Sequence, residues 1–274
     1  MASIVLTEAA LLPPLNLRRV ALPAEHGGWG FLLEPIAAGL AVSFSLGGVW
    51  IAVMIIGAFL MRQPLKMFVL NLRGNRDRGH AAAAQKFLLI YSAIFIAGAA
   101  GTLMTANLSA LVPLTCAIPL AGVQTWFDTF RRSRHIVPEL AGAIAISSSI
   151  AAIAIAGGAS TPIALALWTI MIMRLVPSIL YVRQRLLLEK GKPFSLKLPI
   201  AAHGIACFFT ADLVIAGLAS IPVLIVIGVL FGRCLFGLGK NLSHKRTKAT
   251  TIGIMEVVYG TILVCAIAAG ASIK

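Results

Sequence analysis

Polar residues in this chain gather into short runs between long apolar blocks. Inside the blocks the apolar positions are nearly continuous. They lack the one-sided stripe, repeating every 3.6 residues or so, of a helix shared between a core and water. Such blocks predict helices whose solvent is lipid, since a hydrocarbon layer about 30 Å thick takes about 20 residues of helix. Nine segments follow from the pattern, at 28–47, 49–69, 86–106, 107–126, 138–156, 160–182, 199–217, 220–239 and 251–271. The breaks are set at Gly47-Gly48, at Asn107, from Gly157-Gly158 through Pro162, and from Ser220 to Pro222, all turn-forming residues. The expected class is all-α, a polytopic transmembrane helical bundle of nine helices.

The nine segments and short loops use nearly all of the sequence. The expected organisation is therefore a single transmembrane domain over 25–274, preceded by an N-terminal arm over 1–24 that lies in the cytoplasm or on the membrane surface. Residues 2–15 do not read as a removable signal peptide, because Arg18 and Arg19 follow the apolar stretch instead of preceding it. Composition agrees: 59% of residues are hydrophobic and 12% charged, too little charge to cover a soluble domain of this size. The four cysteines, Cys116, Cys207, Cys234 and Cys265, fall in apolar runs without metal-ligand spacing and read as small buried hydrophobes.

A net charge of +14 raises the question of a nucleic-acid partner, and the placement of the charge answers it. Basic residues collect in alternate connections. Arg73, Arg76, Arg78 and Lys86 lie between segments 2 and 3; Arg131, Arg132 and Arg134 between 4 and 5. Arg183, Arg185, Lys190, Lys192 and Lys197 lie between 6 and 7; Lys240, Lys245, Arg246 and Lys248 between 8 and 9. The opposite loops carry almost none. This is the positive-inside pattern, and it predicts a cytoplasmic N-terminus and an external C-terminus. The expected partners are the bilayer and its anionic headgroups, not nucleic acid.

A repeat adds a second layer of order. "EPIAAGLAVS" (34–43) resembles "PELAGAIAIS" (138–147), and "MRQPLKMFVLNLR" (61–73) resembles "MRLVPSILYVRQR" (173–185). Both matches are four helices apart and in the same order. They predict two parallel four-helix repeats, about 25–126 and 127–239, plus a ninth helix at about 251–271. Parallel repeats put corresponding groups on one side of the membrane.

The repeat also marks the chemistry-bearing positions. Charges within membrane helices are costly and face the bundle interior. Glu34 and Glu139 lie near the start of segments 1 and 5, and Arg62 and Arg174 about two turns before the end of segments 2 and 6. Helical periodicity puts Lys66 and Arg73 on the face of Arg62, and Ser178, Tyr181 and Arg185 on the face of Arg174. The expectation is a cytoplasm-facing cavity in which Glu34 and Glu139 meet Arg62 and Arg174. Arg183 and Asp128 are further binding candidates at its mouth, with His203 and Glu256 beside them. Histidine is the side chain best suited to carry a proton near neutral pH, so His26 joins Glu34 and Glu139 as a catalytic candidate. Asp212 stands apart. The excess of arginine suits an anion, because the guanidinium recognises phosphate or carboxylate through two parallel hydrogen bonds. No P-loop, HExxH, CxxC or GxSxG motif is present.

"HGGWGFLLEP", "MRQPL", "FDTFRRSRHIVPELAG" and "LWTIMIMRLVPSILYVRQRL" resemble the motifs of YwiC-like bacterial membrane proteins over about residues 22–205. That resemblance implies the bacterial cytoplasmic (inner) membrane and no particular activity. More distantly, the layout resembles the UbiA superfamily of intramembrane prenyltransferases. It implies nine helices in two related halves, an active site opening to the cytoplasm, and Asp-rich motifs near the ends of helices 2 and 6 that hold magnesium and a diphosphate. The corresponding stretches here are "MFVLNLRGNRDR" and "SILYVRQRLLLE". Asn71, Asp77 and Tyr181 echo those motifs weakly, and Arg183 and Arg185 stand where aspartates are expected. Magnesium needs oxygen ligands, so no cofactor is expected; magnesium stays open but has no Asp-rich motif to hold it. Direct binding of an anionic lipid or isoprenoid-like substrate by arginine is the expectation that remains.

Three functions stay open at this stage. The chain is an intramembrane transferase or lipid-binding relative of UbiA, a transporter of a small anion or metabolite, or a non-catalytic membrane subunit or assembly factor. Beyond Asp212, Thr102, Thr105 and Ser147 to Ser149, few polar groups lie in the outer half. That favours a site with one opening over a path through the membrane.

Overall fold

The computed structural model describes residues 17–23, 26–72, 78–130, 132, 135–239 and 247–272. Among them the only regular elements are helices. A short α1 (Leu17–Ala21) precedes α2 (His26–Val42), α3 (Leu46–Leu72), α4 (Arg78–Thr105), α5 (Val112–Thr129), α6 (Ile136–Ala156), α7 (Thr161–Glu189), α8 (Lys197–Ile215), α9 (Ile221–Leu238) and α10 (Ala249–Ser272). The nine segments read from hydropathy are thus α2 to α10. Eight of the described helices are long and apolar enough to cross a membrane. The exception, α2, has 17 residues and spans about 26 Å at about 1.5 Å per residue.

Short connections force consecutive helices to run antiparallel. The starts of the even-numbered helices and the ends of α3, α5, α7 and α9 therefore share one end of the bundle. In the middle, α6 packs against α2, α3, α5 and α7, and α10 closes the assembly against α2 and α9. One core gathers Ala38, Ile150, Leu167, Met171, Val226 and Leu263 from five helices, and another sets Leu32, Ile51 and Phe59 against Ala152 and Ile153. Within the arm expected over 1–24, α1 packs on α3 and α4 with Val20 fully buried.

The structure moves one break and explains why. Gly47 and Gly48 lie inside α3, not between helices. A Cβ on Gly47 would come within 2.8 Å of Ala106 Cβ, and one on Gly48 within 3.0 Å of Ile153 Cγ2. These glycines permit close packing, a common use of small residues in membrane bundles. The chain turns earlier, at Ser43 to Ser45, where Gly48 N–H donates to Ser45 Oγ at 3.0 Å. By contrast, Gly158 at φ +93° makes the turn between α6 and α7 where the glycine pair placed it. Asn107 also ends its helix; its side chain accepts from Ser109 N–H and starts a 3-10 turn ahead of α5. Of the cysteines, Cys234 is buried but Cys116 and Cys265 are exposed on the apolar flank.

Candidate functional site

The polar interior is built around Arg174, which sits in the middle of α7 with no exposed surface. Three other helices supply the charges around it. Arg174 Nη2 donates to Glu34 Oε1 of α2 at 3.4 Å and to the backbone carbonyl of Glu256 on α10 at 2.8 Å. Its Nη1 donates to Glu256 Oε2 at 3.1 Å and to Ser178 Oγ one turn along α7. The other oxygen of Glu256 accepts from Arg233 Nη1 on α9. Arg233 in turn lies over two aromatic rings, with Cζ 4.3 Å from the Tyr181 centroid and 4.7 Å from that of Tyr259.

The layer lies at a common depth. Along their helices, Glu256 is about 10 Å from Ala249, Arg233 about 8 Å from Leu238, and Glu34 about 12 Å from His26. His203 of α8, about 9 Å from Lys197, sits at the same level within range of the charges of Arg233, Glu256 and Arg174. Its ring stacks on Phe231, and its Nδ1 is 2.8 Å from the Pro199 carbonyl, which fixes the proton on that nitrogen. Local sequence makes room for the cluster. A Cβ on Gly260 would overlap the Glu34 carboxylate, and one on Gly237 would overlap the Tyr181 hydroxyl.

Pairing within the layer is incomplete. Arg174 Nε, Arg233 Nε and Arg233 Nη2 are buried donors with no acceptor among the described residues. Glu34 Oε2 and His203 Nε2 are buried without a partner in the same sense. Burying polar groups in this way costs about 1–3 kcal/mol each, and more for charged ones.

The other sequence-derived candidates form separate pairs. Arg62 of α3 engages Asp128 of α5 with both groups, Nε to Oδ2 at 2.6 Å and Nη2 to Oδ1 at 3.3 Å. Among the described residues, the carboxylate bonded to Arg62 is thus that of Asp128, not of Glu34. Glu139, at the start of α6, accepts from Arg183 instead of Arg174. Arg185 bonds Glu189 at 2.9 Å and the Gly237 carbonyl, tying the end of α7 to α9. Lys66 lies on α3, one turn beyond Arg62. His26 opens α2 with its side chain outside the described ones, and Arg73 and Asp77 lie outside the described residues. So the structure joins Glu34 to Arg174 and sets Tyr181 beside Arg233, while Arg62 and Glu139 sit in pairs of their own.

Arg233 and Tyr259 are missing from the sequence-derived candidates. A signal existed for the first: an arginine between Gly232 and Cys234, well inside an apolar segment, is as costly as Arg174. It was masked by nearby Lys240 and the basic loop, which read as topology. Tyr259 carried no signal, because an aromatic in an apolar helix is ordinary.

Comparison with known proteins follows the same outline. The sequence model of the family described as YwiC-like protein matches residues 22–154. No curated protein matches in sequence. Among solved structures, that of a digeranylgeranylglyceryl phosphate synthase in membranes, a UbiA-family prenyltransferase, is similar with a TM-score of 0.58. The similarity covers 91% of this chain and 100% of that one at 13% identity, a likeness of fold alone. The chain is therefore a polytopic helical membrane protein with a YwiC-like sequence over residues 22–154 and the architecture of a UbiA-type prenyltransferase.

Proposed function

We propose that this protein binds an anionic amphipathic molecule, a phosphate-bearing lipid or isoprenoid, with its head on Arg174 and Arg233 and its tail between the helices. The observation that supports this is the set of buried guanidinium N–H groups without acceptors. An oxyanion offers several acceptor oxygens at once, and charge-assisted bonds to arginine are about twice as strong as neutral ones. A tail fits the surroundings, because the helices that carry the site are lined outward by apolar side chains such as Ile225, Val257 and Val258. The fold adds weight, since the similar solved protein is named as a synthase of a glyceryl phosphate lipid.

The site is expected to open toward the cytoplasm. Arg233, Glu256 and His203 lie nearer the end of the bundle where α8 and α10 start and α9 stops, with Glu34 and Arg174 near the middle of their helices, and the basic loops of the sequence give that end as the inner one. The expected setting is the bacterial inner membrane, with the N-terminus inside and the C-terminus outside.

Magnesium, which the UbiA resemblance brings with it, is not matched by the described donor set. Glu34, Asp128, Glu139, Glu189 and Glu256 are each bonded to an arginine. No group of three or more His, Cys, Asp or Glu gathers among the described residues. The chain's own groups account for recognition without it: Arg174 and Arg233 hold the head, Tyr181 and Tyr259 hold Arg233, and Glu34 orients Arg174.

Thermal stability of the detergent-solubilised protein tests this reading. Dodecyl phosphate should raise the melting temperature in EDTA, less so at high salt, and prenyl diphosphates with and without magnesium are the comparison. Arg174→Ala should abolish the rise, and Arg174→Lys should restore little of it, because a point charge lacks the planar fork. A rise that requires added magnesium would restore a metal-bridged site. No rise with any anion would overturn the reading.

A further inference from the structure

Glu256, half-buried, has surroundings unlike those of the buried carboxylates. Its two oxygens go to two different arginines, Oε2 to Arg174 and Oε1 to Arg233. Asp128, by comparison, gives both oxygens to one guanidinium. Each arginine spends a single N–H on the Glu256 carboxylate, and three others at the same place have no acceptor. A side chain tethered to α10 spans the two cations without saturating either.

We infer that Glu256 fills, from within the chain, the seat of the ligand's head, and that the seat takes one oxyanion group, a phosphomonoester or a carboxylate, not a diphosphate. The inference rests on the binding reading above and names its ligand class. Width is the first argument. The two oxygens of one carboxylate already bridge Arg174 and Arg233, so a group with a single phosphorus or carbon centre reaches both. A phosphate has a further oxygen for the donors left over. Charge is the second. A diphosphate would need more cations beside the seat, and Arg183 and Arg185 are held by Glu139 and Glu189. The seat also survives the departure of Glu256. Arg233 stays clamped by Tyr181 and Tyr259, and Arg174 keeps Ser178, Glu34 and the backbone carbonyl of residue 256.

Glu256→Gln separates this inference from a purely structural role. Without ligand, the variant should melt lower than wild type, because Arg233 loses its carboxylate. Dodecyl phosphate should nevertheless bind about tenfold tighter than to wild type, the change expected if the internal carboxylate leaves the seat about a tenth of the time. Glu256→Asp, shorter by one methylene, should bind with intermediate affinity and guards against misfolding of the first variant. Asp212→Asn, which removes the same charge near the far end of α8, should leave affinity unchanged. Affinities are read by titration calorimetry with dodecyl phosphate, dodecanoate, geranyl diphosphate and, as uncharged control, dodecanol. The first two arms distinguish phosphomonoester from carboxylate. Tighter wild-type binding of geranyl diphosphate than of dodecyl phosphate would overturn the single-group seat. Equal or weaker binding of dodecyl phosphate to both Glu256 variants would overturn the displacement and leave the binding reading standing. Failure of wild type and variants to bind any anion would remove both.

Discussion

Arg62 and Arg174 occupy matching places in the sequence repeat and have different partners in the fold. The reason is local. Arg174 lies fully buried, and its guanidinium is bonded to carboxylates of α2 and α10. Arg62 keeps a side chain 21% exposed and faces α5, where Asp128 sits in the last turn with 2% exposure. Its pair with Asp128 is therefore the one that a double-mutant cycle should detect. Arg62→Ala should destabilise by about 3 kcal/mol, because it strips a partner from a buried carboxylate. Adding Asp128→Asn should recover part of that loss, whereas adding Glu34→Gln should give a further loss close to additive. Thermal denaturation in detergent measures all three. Coupling of Arg62 with Glu34 in place of Asp128 would contradict the described geometry.

Between elements, small residues set how closely the helices approach. The clearest case is the α3–α4 pair, in which Gly57 and Gly98 face each other's backbones. A Cβ on Gly57 would lie 2.7 Å from Phe95 N, and one on Gly98 would overlap Met54 N. Backbone cannot retreat as a side-chain tip can, so Gly98→Ala must separate the helices and should cost about 1–3 kcal/mol. Gly122→Ala on α5 is the matched control. Nothing lies within 4 Å of its added Cβ, and removing a helical glycine should stabilise by up to about 1 kcal/mol. Melting temperatures of the two variants should move in opposite directions. Hydropathy alone does not separate these roles: Gly47 and Gly48 read as a break and instead pack inside α3, while Gly157 and Gly158 form a genuine turn.

For the whole molecule, the alternating basic loops give a topology prediction. Single cysteines placed near residues 75, 133, 190 and 245 in a cysteine-free background should resist membrane-impermeant reagents in intact cells, and one near 274 should react. Labelling at 133 from outside would reverse the orientation and move the arginine layer to the other face. The sequence by itself determined the lipid-solvated helices, their number and approximate limits, because continuous apolar runs of that length have few other solutions. It also marked Glu34 and Arg174 as candidates, since a charge within an apolar helix is costly and turns to the bundle interior. Only the tertiary structure decided which charges meet. Glu34, Arg174, Arg233 and Glu256 come from α2, α7, α9 and α10, and no spacing along the chain encodes that meeting. Periodicity reports which face of a helix is polar; helix packing, through contacts such as Gly260 against Glu34, selects the face that lies opposite.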